Sequence, residues 1–170
     1  RSPALKAYVP SSQFENGQEA QLPVAGSIPR NYDVYGYEDT PAGYELAKAK
    51  LSMPAEFIGE ENLKEGKELY GIFCTHCHGD NGDGQGHLVK LEKFPPVPAY
   101  DSRDLTPGSM YHVIMYGKGL MGSHASQLNY DERWKIVRYV QELRGDKVEM
   151  PAETSAEEMP VSEETTDENN

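Results

Sequence analysis

The chain has 170 residues, of which 37% are hydrophobic, and its formal net charge at pH 7 is -12. Because a nucleic-acid backbone attracts clustered Lys and Arg, this acidic balance argues against a nucleic-acid partner. No apolar run approaches the roughly 20 residues that cross a bilayer, so the sequence predicts no membrane span. The low hydrophobic fraction indicates that part of the chain lacks a core of its own, or that a bound group completes the core.

The first 58 residues are predicted to form a long, irregular N-terminal arm. Six prolines between Pro3 and Pro54 exclude a long uninterrupted helix, although one short helix is predicted from Thr40 to Leu51, with Pro41 at its first position. This segment holds five of the chain's eleven tyrosines. Because disordered linkers are usually poor in aromatic residues, we expect the arm to wrap over a partner surface. The alternative is that it folds back on its own domain.

Residues 59–146 are predicted to form the folded domain, with three further helices. The first has a face of residues spaced three or four apart, at Leu63, Gly66, Tyr70 and Phe73. The second is delimited by Thr106 as N-cap and Gly117 beyond its end. The third begins after the capping-box pair Asn129 and Glu132 and is closed by Gly145. No pair of strands is predicted, so the expected fold class is all-α.

Residues 147–170 are predicted to form an acidic C-terminal tail. From Pro151 onward this segment has seven acidic residues and no basic ones. It cannot bury enough apolar surface to offset the entropy lost on ordering, so we expect it to have no fold of its own. Its charge suits a role in steering a basic partner by long-range attraction.

The only two cysteines stand in the run Cys74-Thr75-His76-Cys77-His78. This C-x-x-C-H spacing is typical of c-type haem attachment. Each thiol adds to one haem vinyl group to form a thioether, and the histidine that follows is placed to ligate the iron from the same side. The motif therefore predicts one covalently bound haem c, held by Cys74, Cys77 and His78.

Other uses of the cysteine pair explain the motif less well. A disulfide would leave the adjacent His78 without a role. A structural zinc site commonly needs four protein ligands, and there is no second cysteine pair. A thioredoxin-like pair opens a helix after a strand, whereas this pair follows a predicted helix. The loop from Gly79 to Gly86 matches neither an EF-hand nor a dinucleotide fingerprint, and we expect its glycines to let the backbone pass close to a haem edge.

The residue on the other side of the iron decides the function. A methionine there indicates electron transfer, whereas an open position permits ligand binding or catalysis. The candidates within reach are Met53, Met110, Met115, Met121, His87, His112 and His124. Met121 is preferred, because it lies in a non-helical loop between Gly117 and Leu128 whose glycines let a side chain approach the metal. His124 is its main rival.

Four further residues are candidates for the surroundings of the haem. A ligating histidine usually donates its second ring N–H to a carbonyl or carboxylate, so the carbonyl of Pro95 or Pro96 is expected to orient His78. Tyr111 and Trp134 are expected to wall the haem pocket, to reach the haem propionates or to pack in the core.

The order of these features resembles a class I cytochrome c: a helix, C-x-x-C-H, a glycine loop, a proline loop, a short helix, a methionine loop and a final helix. More narrowly, YHVIMYGKGLMGSHASQLNYDERWKIVRYVQELR (residues 111–144), preceded by a long arm rich in Tyr and Pro, resembles the monohaem cytochrome c subunit of bacterial alternative complex III. Relatives often have Met-Pro at the sixth-ligand position. This chain has Met121-Gly122, which is expected to loosen the loop.

The resemblance implies a single His/Met-ligated haem in a membrane complex that oxidises quinol and passes electrons to a downstream cytochrome or terminal oxidase. It implies that this chain is an electron-carrying subunit, not an enzyme by itself. It also implies export to the periplasmic side of the membrane, with attachment through other subunits or an N-terminal lipid. The first residue is Arg1, which we take to indicate a processed product.

Two other functions stay open from the sequence. A freely diffusing periplasmic electron carrier would share the haem without needing long arms. A haem sensor or a peroxidase-like enzyme would have a labile sixth ligand.

Overall fold

A computed structural model of the chain describes residue 6, residues 8–28 and residues 34–148. The chain divides into two compact units, one ending at residue 33 and the other beginning at residue 34. The predicted acidic tail lies outside the described residues from residue 149 onward.

The first unit has no helix or strand among its described residues, as the predicted irregular arm requires. Pro10 and Gln18 form one isolated antiparallel bridge, closed by a turn at Gly17, which has a φ of +70°. Beyond this turn the side chains of Leu22 and Val24 are 91% and 82% exposed. These two apolar side chains have almost no contact within the unit itself.

The second unit is helical. Its α-helices are α1 (Pro41–Lys50), α2 (Glu60–Phe73), α3 (Thr75–His78), α4 (His87–Lys90), α5 (Pro107–Tyr116) and α6 (Tyr130–Arg144). Two short 3₁₀ helices lie at Ala55–Phe57 and Tyr100–Ser102. No β-strand is formed by the part of the chain that the structure describes, so the all-α prediction is confirmed.

The helix boundaries follow the capping residues. The Thr106 hydroxyl accepts the N–H of Ser109 at 3.2 Å, and the Ser109 hydroxyl accepts the N–H of Thr106 at 2.9 Å. Asn129 and Glu132 make the same reciprocal pair at the start of α6. Gly145 ends α6 in the left-handed conformation. These bonds satisfy N–H groups that have no partner within a helix, which fixes where α5 and α6 begin.

Helices α2 and α6 pack against each other through a glycine contact. A Cβ atom at Gly66 would overlap the carbonyl oxygen of Lys135 in α6. This close approach brings α2 against the buried side of α6, where Trp134 and Val137 are at most 1% exposed. Tyr70 of α2 belongs to the same core and is 2% exposed. The crossing places the end of α2, and with it the cysteine motif, beside α6.

The boundary between arm and domain differs from the predicted one at residue 58. Residues 34–58 belong to the compact second unit, because α1 packs directly on α5. A Cβ atom at Gly108 of α5 would overlap the backbone carbonyl oxygen of Ala47 in α1. The alternative of folding back on the domain therefore applies to this segment. We call residues 34–51 the strap.

Candidate haem-binding site

The haem-binding residues preferred from the sequence meet at one cavity of about 510 Å³ in the second unit. All of them are part of its lining: Cys74, Cys77, His78, Pro96 and Met121. Much of the remaining wall is hydrophobic side chain from α5 and α6, namely Met110, Val113, Ile114, Ile136, Val137 and Val140. Cys74 and Met121, which are 47 positions apart in sequence, thus line the same cavity.

The cysteine motif reaches the cavity through one helical turn. The last residue of α2 is Phe73, and Cys74 joins it to α3. The carbonyl oxygen of Cys74 accepts N–H bonds from Cys77 at 3.2 Å and from His78 at 3.0 Å. This turn places Cys77 and His78 next to Cys74 on the cavity wall, in the order that haem attachment requires.

The glycine loop after the motif packs against backbone. A Cβ atom at Gly86 would overlap the carbonyl oxygen of His76, and one at Gly84 would overlap that of Val97. The N–H of Gly86 also donates to the carbonyl of Cys77 at 3.2 Å. The absence of side chains at these two positions therefore allows close approach to the motif and to the proline-rich segment.

Both cysteines are free thiols in this structure. Burial, together with the neighbouring Cys77, raises the pKa of Cys74 to about 12. At neutral pH the free Cys74 thiol is therefore protonated. Among the described residues, no group of three or more His, Cys, Asp and Glu side chains is placed to hold a metal ion. A zinc site of the kind weighed from the sequence is not formed by these residues.

The His78 imidazole is held by stacking. Its ring lies 4.8 Å from the Tyr100 ring, centroid to centroid, with 18° between the planes. Burial, and to a lesser extent the charge of His124, lower the pKa of His78. The ring is therefore neutral at pH 7, which is the form that ligates a metal.

The predicted orientation of His78 by a proline carbonyl is not observed. Its Nδ1 atom is buried and has no hydrogen-bond partner, although Pro95 and Pro96 both line the cavity. Stacking on Tyr100 holds the ring in place instead. A buried polar atom without a partner is costly, so this nitrogen is free to take a hydrogen bond from a group bound in the cavity.

Met121 lies in a tight turn at the cavity. The N–H of Lys118 donates to the Met121 carbonyl at 2.9 Å, and the N–H of Met121 donates back to the Lys118 carbonyl at 3.2 Å. Gly117 precedes the turn with a φ of +85°, and a Cβ atom there would overlap the Met121 carbonyl oxygen. The backbone of Met121 is therefore fixed on its N-terminal side. On the other side, a Cβ added at Gly122 would meet no atom within 4 Å.

His124 and Met110 share the cavity with Met121. The ring Nδ1 of His124 is 3.0 Å from the Gly122 carbonyl oxygen, and its backbone N–H donates to the Ile114 carbonyl at 2.9 Å. Met121 and His124 thus both line the cavity where the methionine loop (residues 117–128) forms its wall. Both residues therefore remain candidates for the sixth ligand, as they were in the sequence analysis.

The other candidate ligands are placed elsewhere and are not part of the cavity lining: Met53, Met115, His87 and His112. The His112 ring is 3% exposed and its Nδ1 lies 2.9 Å from the Tyr35 hydroxyl. The Met115 sulfur accepts a hydrogen bond from Arg133. Both side chains therefore have contacts that hold them away from the cavity.

Tyr111 and Trp134 pack in the core. Each is 1% exposed, their ring centroids are 4.4 Å apart, and neither lines the cavity. The core alternative weighed from the sequence is the one that the structure shows.

Some residues that line the cavity were not predicted from the sequence to do so, among them Tyr44, Tyr100, Arg103 and Lys118. Tyr44 is part of α1 and reaches the cavity only because the strap packs on α5. No local pattern marks any of these four, since a single Tyr, Arg or Lys carries no spacing signal. Their positions depend on tertiary contacts.

The chemistry of the lining fits a haem. Two thiols, a neutral imidazole and a thioether belong to residues that line a cavity with largely hydrophobic walls, and Arg103, in the same lining, would supply a positive charge for the haem carboxylates. The family model described as cytochrome c oxidase, cbb3-type, subunit III matches residues 61–140. The chain contains a cytochrome c domain. Its helical architecture is that of a class I cytochrome c, and such a domain implies a covalently bound haem c.

The matched residues run from the start of α2 almost to the end of α6, so the strap lies outside the match. No curated protein matches the chain. None of the described helices is both long enough and apolar enough to cross a membrane.

Proposed function

We propose that the cytochrome c domain carries one electron at a time through a single haem c. In this proposal Cys74 and Cys77 would hold the haem through two thioethers, and His78 and Met121 would supply the imidazole and thioether ligands of the iron. The observation that carries this proposal is the convergence of all four side chains on one cavity. Pro96 contributes to the wall of the same cavity.

The chain's own residues then perform three tasks, while the bound haem iron supplies the one-electron redox couple. The hydrophobic side chains of α5 and α6 exclude water from the cavity, which limits the solvent reorganisation that accompanies a change of charge. Stacking on Tyr100 keeps the neutral His78 ring in one orientation. The turn from Lys118 to Met121 holds the thioether close to the site, and a thioether ligand favours the reduced iron and raises the reduction potential.

We further propose that the protein is an exported subunit of a membrane-bound respiratory complex that oxidises quinol, of the alternative complex III type. Its partners would be other subunits of that complex and a downstream cytochrome or terminal oxidase. The exposed apolar side chains of the first unit support a bound rather than a free state, because Leu22, Val24 and Ile28 are each at least 78% exposed. The resemblance of residues 111–144 supports the choice of complex.

A second setting is favoured by the family match. The matching model is named for subunit III of a cbb3-type oxidase, so a cytochrome subunit that delivers electrons within a terminal oxidase is the other candidate. Both settings require the same haem domain and differ in the chains that accompany it.

The haem assignment is tested on protein matured in an exporting bacterial host. We expect the colour to stay with the polypeptide after denaturation and acid-acetone extraction. Cys74→Ala and Cys77→Ala should each leave one thioether, and the double variant should release its haem. Met121→Ala should lose the Met-to-ferric-iron charge-transfer band and bind carbon monoxide when reduced. Extraction of all colour from the unaltered protein would refute covalent attachment.

Partner chains are tested by affinity purification from detergent-solubilised membranes, with the full chain and with a variant that lacks residues 6–28. Co-purification of iron–sulfur and further haem-bearing chains with quinol-oxidising activity supports the proposed complex. A haem–copper oxidase in the eluate supports the second setting instead. Recovery of the full chain alone would favour a freely diffusing carrier.

A further inference from the structure

The strap is attached to α5 by several polar contacts. The Tyr35 hydroxyl lies 2.9 Å from His112 Nδ1, and the Tyr116 hydroxyl donates to the carbonyl of Tyr37 at 2.9 Å. Thr106, the N-cap of α5, donates its hydroxyl to the carbonyl of Lys48 at 2.9 Å. These contacts occur along the whole length of α5, so the strap and α5 form one packed pair.

One contact of the strap reaches past α5 to the methionine loop. The Lys118 ammonium lies 3.5 Å from the centroid of the Tyr44 ring, which is the geometry of a cation–π interaction. Lys118 is also the residue that exchanges both backbone hydrogen bonds with Met121. Tyr44, Lys118 and Met121 all line the cavity. A direct series of contacts therefore joins α1 to the proposed sixth ligand.

Beyond Ser123 the methionine loop is held by hydrogen bonds to α5, from the Ser123 hydroxyl to the Met115 carbonyl and from the His124 N–H to the Ile114 carbonyl, whereas the turn from Gly119 to Gly122 has few other restraints. Gly119 and Gly122 have no atom near the position of an added Cβ, and Leu120 at the tip of the turn is 71% exposed. A loop with this much freedom has low resistance to local opening. The contact between Tyr44 and Lys118 therefore contributes strongly to holding this turn beside the cavity.

We propose that the strap positions the sixth-ligand loop: Tyr44 holds Lys118, and Lys118 holds Met121 at the iron. This inference rests on the proposed function, because it takes Met121 as the ligand. The strap lies outside residues 61–140, so the restraint is an addition to the matched cytochrome c domain. Tyr44 and Lys118 act here as positioning residues, and neither needs to touch the iron.

The test measures imidazole binding to the ferric holoprotein and carbon monoxide binding to the ferrous holoprotein. Tyr44→Leu removes the aromatic face and should raise the affinity for both probes by about two- to thirty-fold, the range expected for loss of a cation–π contact. Tyr44→Phe keeps the aromatic face and should stay near the unaltered protein. Lys118→Gln should match Tyr44→Leu, and the double variant should add little, because the two residues make one interaction.

Lys50→Gln is the matched control for charge, since it removes a lysine from the exposed end of the same helix. It should leave the binding of both probes unchanged. Equal probe affinity in Tyr44→Leu and the unaltered protein would overturn the strap proposal while leaving Met121 as the ligand. If the unaltered protein bound the probes as readily as Met121→Ala does, the assignment of Met121 would fail, and the strap proposal with it.

Discussion

The Tyr100 ring stacks on the His78 imidazole, with 4.8 Å between the ring centroids and 18° between the planes. Tyr100 is itself held in place, because its backbone N–H donates to the Gly82 carbonyl at 3.0 Å and a Cβ at Gly82 would overlap its ring. Tyr100 thus contacts both the glycine loop, at Gly82, and the cysteine motif, at His78.

Tyr100→Leu should weaken the orientation of His78. We expect the free energy of unfolding of the holoprotein to fall by about 1–2 kcal/mol, because the aromatic pair is lost together with part of the buried area. The reduction potential should shift as well, since the axial imidazole is free to rotate. Denaturant unfolding and a redox titration measure the two effects. Tyr100→Phe keeps the ring and is the control; a loss as large as that of Tyr100→Leu would show that the stack is not the cause.

Gly117→Ala should disturb the methionine loop. Gly117 has a φ of +85° and a ψ of 175°, a conformation that is essentially restricted to glycine, and a Cβ would overlap the Met121 carbonyl. We expect a loss of about 1–3 kcal/mol in the free energy of unfolding and a weaker Met-to-iron charge-transfer band.

Gly122→Ala is the matched control for that change. Gly122 lines the cavity, no atom of the chain lies within 4 Å of its added Cβ, and its φ is not in the left-handed region. The substitution should therefore strain the chain itself much less than Gly117→Ala does. Thermal unfolding and visible spectra of the two variants give the comparison. Equal behaviour of Gly117→Ala and Gly122→Ala would contradict the conformation assigned to the loop.

Gly66→Ala should separate α2 from α6. The new methyl group would overlap the Lys135 carbonyl and press on the Tyr139 side chain at 3.3 Å. Overpacking of this kind costs about 1–3 kcal/mol, so the midpoint of denaturant unfolding should fall. Because the crossing positions the cysteine motif, the yield of holoprotein should fall too.

Gly71→Ala tests the same helix at an open position. No atom lies near its added Cβ, so the greater helix propensity of Ala should stabilise the protein by about 0.5–1 kcal/mol. A destabilisation at Gly71 equal to that at Gly66 would show that the two glycines are not distinguished by the helix crossing.

His112 should make stability depend on pH. Burial lowers the pKa of His112, while Asp39 raises it and Lys118 lowers it further. The folded state therefore takes up a proton on His112 at a lower pH than the unfolded state, in which this histidine has its ordinary pKa of about 6.5. The stabilising contribution is fully present above this value and is lost as the pH falls below it, by at most about 1.4 kcal/mol per pH unit.

The measurement is the free energy of unfolding from pH 8 to pH 5 for the unaltered protein and for His112→Phe. The variant should be less stable at pH 8, because the bond to the Tyr35 hydroxyl is lost, and its stability should fall less steeply at lower pH. Parallel curves for the two proteins would mean that His112 does not titrate differently in the folded and unfolded states.

Local sequence was sufficient for the helices and the haem-attachment motif. Thr106 and Asn129 cap α5 and α6 at the expected residues, because a cap is a hydrogen bond between neighbours in sequence. The spacing of Cys74, Cys77 and His78 is likewise local, because the three residues lie within one helical turn, and it predicts haem attachment without any tertiary contact. The glycines around Met121 favour it as a ligand, and its side chain does line the cavity.

The predictions that differ from the structure involve contacts between distant residues. The carbonyls of Pro95 and Pro96 do not accept a bond from His78, and the segment from residue 34 belongs to the domain instead of the arm. Prolines and scattered tyrosines look alike in a free arm and in a segment packed on a helix, because the difference lies in what the rings touch.

The sequence by itself determined the helical class, the starts of α5 and α6 and the spacing of the cysteine motif, since these depend on residues a few positions apart. Only the tertiary structure decided that Tyr100 stacks on His78, that the strap packs on α5 and that Tyr44 meets Lys118 beside Met121. The physical reason is that packing joins residues across tens of positions, and no spacing along the chain encodes which of many tyrosines will reach a given ring or charge.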